Sequence, residues 1–206
     1  MLRTQRILFT PLKLSYLMGL IFLITSTLNC FAQQNNFRTY SIEEGLPQSS
    51  VYAIFQDSRG YFWLGMEGGG ISRFDGINFK SFNKKDGLAG NFVRTIIQDS
   101  RGFLWIGTDE GISVYDGLNF TTIDTEKGLS NNIIIRLYED SQNNIWAGTA
   151  DGGLNKIQMF NEDSIIIEII TTENGLRGNF VFDIYEDKNN RLWLAIFNGG
   201  INILTF

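Results

Sequence analysis

Four aspartates and four tryptophans recur in one fixed relation. Asp57, Asp99, Asp140 and Asp187 each stand six residues ahead of Trp63, Trp105, Trp146 and Trp193. Carboxylates commonly act as general acids and bases, and an indole can stack on a sugar ring. Adjacent carboxylates also occur at Glu43–Glu44 and Asp109–Glu110. The sequence holds no histidine, so neither a Ser/His nor a Cys/His nucleophile pair can form, and imidazole is absent as a base or metal ligand. Carboxylates adjacent in sequence need not face one catalytic point. These residues read as a binding or sensing module rather than an enzyme, with no catalytic residue, metal site or cofactor assigned.

The spacing has a structural explanation. The tryptophans are separated by 42, 41 and 47 residues, and the aspartates keep the same intervals. Gly-Leu pairs at Gly45-Leu46, Gly87-Leu88, Gly128-Leu129 and Gly175-Leu176 repeat them again. Each unit reads as four short strands. In the second, Val93 to Gln98, Phe103 to Gly107, Gly111 to Tyr115 and Phe120 to Ile123 are separated by Asp-x-x-Gly and Asp-Gly turns. The fourth turn position, Gly60, Gly102, Asn143 or Asn190, holds the residue types that tolerate a left-handed backbone, so positive φ is expected there. The turn aspartate should accept bonds from the turn's own amides. A four-stranded unit of this length with one Trp per copy is the period of a propeller blade. The expected fold is all-β, a β-propeller of four repeats of a four-stranded antiparallel blade. The tryptophans should fill the space between blades, with Phe62, Leu64, Leu104, Ile106, Ile145 and Leu194. The longer third interval is assigned to a longer hairpin loop around Asn161-Glu162-Asp163-Ser164.

The first 32 of the 206 residues differ in character. Arg3, Arg6 and Lys13 precede an apolar run from Leu14 to Leu28, and small Ala32 follows. This is the order of a secretory signal cleaved after Ala32, the run being short for a bilayer span. A retained N-terminal anchor is the alternative. The segment holds three of the 17 basic residues and none of the 22 acidic ones, so residues 33–206 carry a net charge of −8. That balance argues against nucleic acid as a partner. The single cysteine, Cys30, lies inside the segment, which leaves no disulfide to hold the fold.

The stretches Gly45-Leu46-Pro47, Gln56-Asp57-Ser58-Arg59-Gly60-Tyr61-Phe62-Trp63-Leu64-Gly65 and Gln98-Asp99-Ser100-Arg101-Gly102-Phe103-Leu104-Trp105-Ile106-Gly107-Thr108 resemble two-component regulator propeller repeats. The third and fourth copies are looser, with Asn143 and Asn190 in place of Gly and Ala195-Ile196 where Gly-Thr is usual. The resemblance covers residues 33–206. It implies the periplasmic sensor region of a hybrid two-component system, responsive to oligosaccharides, with its histidine kinase on a continuation or on a membrane partner. Lacking histidine, this sequence cannot itself autophosphorylate on one.

The repeats run over about 45–86, 87–127, 128–174 and 175–206, with 36–40 aligning as an extra outer strand. An open arc would expose blade faces, so a segment of a larger propeller is expected; closure by the chain's own ends, or by a second copy, competes with it. In an antiparallel meander the loops between blades share a face with the second-to-third strand loops. The polar residues there, Gln48, Ser49, Glu67, Asn91, Asp109, Asn132, Asp151, Arg177, Asn179 and Asn198, are the candidate contacts for an oligosaccharide or other small ligand.

Overall fold

The aspartate turns set the register of every blade. In the computed structural model, which describes residues 36–161 and 164–206, Asp57 Oδ1 accepts from the amides of Arg59 and Tyr61 at 3.0 and 2.9 Å. Its Oδ2 accepts from Trp63 Nε1 at 2.8 Å. Asp99, Asp140 and Asp187 make the same three bonds, the indole bond measuring 3.0, 2.7 and 2.8 Å. One carboxylate thus closes the turn and fixes the indole two residues into the next strand. The fourth turn position has φ of 89° at Gly60, 93° at Gly102, 63° at Asn143 and 58° at Asn190, as the sequence requires.

Each turn joins the first two strands of one of four antiparallel sheets. Blade one holds β1 (Val51–Gln56), β2 (Phe62–Met66), β3 (Ile71–Phe74) and β4 (Phe79–Phe82). Blade two holds β5 (Val93–Gln98), β6 (Leu104–Thr108), β7 (Ile112–Tyr115) and β8 (Phe120–Ile123). Blade three holds β9 (Ile134–Glu139), β10 (Ile145–Thr149), β11 (Leu154–Asn161) and β12 (Ser164–Ile170). Blade four has three strands in the order β13 (Val181–Glu186), β14 (Leu192–Ile196) and β15 (Gly200–Leu204). The extra residues of the third interval lengthen β11 and β12 themselves, pairing Met159 with Ile165 and Asn161 with Ser164, where a longer loop was expected. Residues 36–40 carry no strand, which corrects their reading as an outer strand. Residues 1–32, read as a signal, lie outside the described residues.

Tyr40–Phe206 is one compact unit, and its core lies between blades. The inner strands β1, β5, β9 and β13 pack in succession. Trp63 clusters with Ile96, Leu104 and Ile106 of blade two, Trp105 with Leu137, Ile145 and Ala147 of blade three, and Trp146 with Ile184, Leu192 and Leu194 of blade four. All three indoles are buried, so packing is their role. Burying an indole N–H without a partner would be costly, and the turn aspartate supplies the acceptor. Phe62 and Leu64 lack such a neighbour, and Phe62 is exposed.

Removing one turn carboxylate should therefore unfasten a blade. Asp99→Ala, at a side chain 1% exposed, strands two turn amides and the Trp105 indole and should destabilise by about 2–4 kcal/mol. Asp75→Ala, at an exposed hairpin turn, should cost roughly 1 kcal/mol or less; denaturant titration followed by tryptophan fluorescence compares the two. Acid should act through the same kind of group. The Arg191 side chain, then the Trp193 indole, hold the Asp187 carboxyl far below the usual carboxylate range, and backbone amides lower Asp116 and Asp75. Folded pKa values below the ordinary 3.8 of aspartate mean that the native state binds fewer protons than the unfolded chain. Their stabilisation is full above that value and is lost as pH falls through the folded ones. Melting temperature should be level near neutrality and drop at acid pH; a protein equally stable at pH 7 and pH 3 would contradict this.

Candidate ligand-binding face

The loops between blades and the second hairpin loops do lie on one face, tied by backbone bonds. Within a blade, Glu67 N donates to Ser50 O at 3.1 Å, Asp109 N to Phe92 O at 3.2 Å, Ala150 N to Ile133 O at 3.0 Å and Phe197 N to Phe180 O at 3.0 Å. Between blades, Gly70 N donates to Asn91 O, Gly111 N to Asn132 O and Gly153 N to Asn179 O, all within 2.8 Å. Binding groups on this face sit on a fixed frame.

The structure gives most of the ten polar candidates work within that frame. The side-chain carbonyls of Asn91, Asn132 and Asn179 accept from the amides of Lys84, Thr125 and Thr172, pinning the short 3-10 turn that leads into each blade. Gln48 Oε1 accepts from Ser49 N and its hydroxyl, and Asp109 Oδ1 accepts from Phe92 N. Asp151 and Asn198 occupy hairpin tips with φ of 67° and 54°, while Glu67 and Arg177 are exposed on the loops. Among the described residues no group of three or more His, Cys, Asp or Glu is placed to hold a metal ion.

The same end of the inner strands carries a second set, which the sequence reading missed. Each inner strand carries a β-bulge at its loop-face end: the pairing skips between Val51 and Ala53, Val93 and Thr95, and Val181 and Asp183, and between the partners of Gly148 and Thr149 in β9. The extra residues are Tyr52, Arg94, Ile135 and Phe182. Bulges re-aim side chains and are enriched beside functional sites. The Tyr52 and Phe92 rings meet edge to face with centroids 4.8 Å apart, and the Arg94 guanidinium lies 3.8 Å over the Phe92 ring. Arg94 Nε is buried and meets no hydrogen-bond partner among the described residues. Phe180 and Phe197 form a second ring pair, 5.3 Å apart, at the start of blade four. The signal that could have found these residues is that the bulge position varies between repeats while the residue before it, Val51, Val93, Ile134 or Val181, stays β-branched and apolar.

Chemically, the platform offers aromatic faces for the C–H side of a ring and an arginine N–H without an acceptor. It offers no acid–base pair.

The comparisons agree with this architecture. No curated protein matches the chain in sequence. Among solved structures, the extracellular domain assigned to a hybrid two component system of B. thetaiotaomicron superposes with a TM-score of 0.73 at 23% identity, over 84% of this chain and 24% of that one. A second such domain from B. thetaiotaomicron gives 0.67 at 26% identity, over 76% and 24%. The chain thus spans about a quarter of these relatives. A catalytically inactive histidine-to-alanine form of virginiamycin B lyase from Staphylococcus aureus shares the fold, with a TM-score of 0.60 at 16% identity over 84% and 60%. The two component regulator propeller family matches four times, at residues 45–68, 87–110, 128–151 and 175–198. Each match begins at the Gly-Leu pair and takes in the turn aspartate and its tryptophan, and on these four repeats the chain belongs to the two component regulator propeller family.

Proposed function

We propose that the chain is an extracytoplasmic sensor propeller of a two-component system, exported by its N-terminal segment, that binds an oligosaccharide on the bulge platform. The observation that carries this reading is Arg94 Nε, buried over an aromatic ring without an acceptor. A buried donor left unpaired is destabilising, and a ligand hydroxyl or carboxylate at that point would relieve the cost. Tyr52, 56% exposed beside Phe92, supplies a surface on which a sugar ring can stack. Family membership and the extracellular relatives support the cellular setting. Ligand occupancy would be read by a histidine kinase carried elsewhere, since this sequence has no histidine to phosphorylate.

The absence of histidine also weighs against an enzyme of the lyase type. The inactive lyase among the fold relatives is one in which a histidine has been replaced, and this chain contains none at any position.

Calorimetric titration with neutral and uronate-containing oligosaccharides tests the proposal. Saturable binding without release of product is expected. Loss of a charge-assisted bond is worth about 1.5–3 kcal/mol, so Arg94→Ala should weaken binding roughly tenfold or more, and Phe92→Ala should weaken it as well. Binding that survives both changes would remove the platform from the site, and turnover of the sugar would replace the sensor with an enzyme.

A further inference from the structure

The contact between blades two and three departs from the one between blades one and two. At the turn end of the first contact, the Tyr115 ring closes the space beside Trp63, their centroids 5.7 Å apart, and about 30 Å³ remains. Tyr115 also donates to Gly117 O at 2.7 Å, within its own hairpin turn. Ile157 holds the place of Tyr115 in blade three, pairing with Ile145 as Tyr115 pairs with Leu104. With the smaller side chain there, a cavity of about 260 Å³ opens between the two blades. It lies on the turn face, at the opposite end of the blades from the bulge platform, and both of its walls belong to interior blades.

The walls are built by residues that break the repeat. The third strands of blades one and two end at Phe74 and Tyr115, whereas β11 continues past Ile157 to Asn161. The extension carries Met159 and Phe160 along the cavity. Arg101 of blade two fastens it: Nη1 donates to Met159 O at 2.7 Å, while Nε and Nη2 donate to Asp99 Oδ2 at 3.1 and 2.8 Å. The one charged side chain lining the cavity is therefore already paired. Across from it, Gln142 and Asn144 stand where blade two has Arg101 and Phe103.

Asn144 is 4% exposed, so its hydrogen bonds can be counted. Nδ2 donates to Asp140 Oδ2 at 2.8 Å, and Oδ1 accepts from Gln158 Nε2 at 2.7 Å. A carboxamide has two N–H bonds, and the second on Asn144 has no acceptor among the described residues. Gln158 Oε1 accepts nothing among the described residues either. A spare donor and a spare acceptor thus stand on two bonded carboxamides in the cavity wall.

We propose that this cavity is a second binding site, taking one ring of a neutral sugar, independent of the bulge platform. Adjacent ring hydroxyls present the complementary pair, since each hydroxyl can both accept and donate. Phe160, 67% exposed, adds an apolar surface for the C–H side of the ring. With no unpaired charge in the wall, an ionic group on the ligand would lose water without compensation.

Amide NMR of the isotope-labelled chain with the methyl glycosides of glucose, galactose and xylose tests the proposal. A single ring should bind with a dissociation constant on the order of 1 mM, shifting the side-chain amide signals of Asn144 and Gln158 together. Phe160→Ala and Gln158→Leu change exposed side chains, and each should weaken binding severalfold. Ile157→Tyr, which installs the residue used in blade two, should abolish it; the remaining signals confirm that each variant folds. Arg94→Ala should leave this binding unchanged, so the cavity and the platform stand or fall separately. Unmoved signals with all three glycosides, a stronger response to glucuronate or to a neutral tripeptide, or binding unaffected by Phe160→Ala and Gln158→Leu would overturn the proposal.

Discussion

Every blade hangs on a carboxylate shared between a turn and an indole. One oxygen of the turn aspartate collects two amides and so bends the chain from the inner strand into the next. The other oxygen takes the tryptophan N–H, which fixes where the indole projects. The indole is the main body that one blade offers the next, so local turn chemistry and long-range packing meet in a single side chain. A blade of this size has apolar material on both faces and cannot bury them alone. Orienting the indole before the blades meet is what allows a contact of one geometry to repeat.

That repetition limits where function can be written. Positions that close a turn, fill a blade contact or fasten a loop keep the same type of residue in most copies. A bulge is exempt, since its extra residue has no partner across the ladder and leaves the register of its neighbours unchanged. Tyr52, Arg94, Ile135 and Phe182 occupy that exempt position, two of them aromatic, one cationic and one aliphatic. A rigid frame with one free position per blade is a suitable arrangement for recognition, because groups placed there lose little entropy on binding.

The architecture was readable from the chain because its determinants are local. The Asp–Trp spacing, the Gly or Asn at the fourth turn position and the strand lengths in blade two follow from turn chemistry and period. The indole–aspartate bond was not foreseen, since spacing alone does not say that a side chain two residues into the next strand folds back over the turn. Residues 36–40 aligned with an outer strand but carry none, because a strand needs a partner edge and sequence alignment cannot provide one. The site was less legible still. Asn91, Asn132 and Asn179 have the composition of ligand contacts, yet their side-chain carbonyls fasten the turn of their own connection. Their recurrence in register is the mark of a structural fastener.

The same distinction bears on the ends of the arc. A repeat whose faces were adapted only to solvent would differ there from the interior copies, with polar residues replacing the apolar ones, as terminal capping repeats do. Blade one does not: it keeps Ile54, Phe62 and Leu64 at the receiving positions and orients Gln56 as Gln98 is oriented. Blade four keeps Trp193 and its aspartate, paired with Arg191 as Asp99 is with Arg101 in blade two. Ala195, in place of glycine, changes how closely a neighbour can approach while leaving the face apolar. Faces that retain the interior pattern are faces shaped to meet another blade.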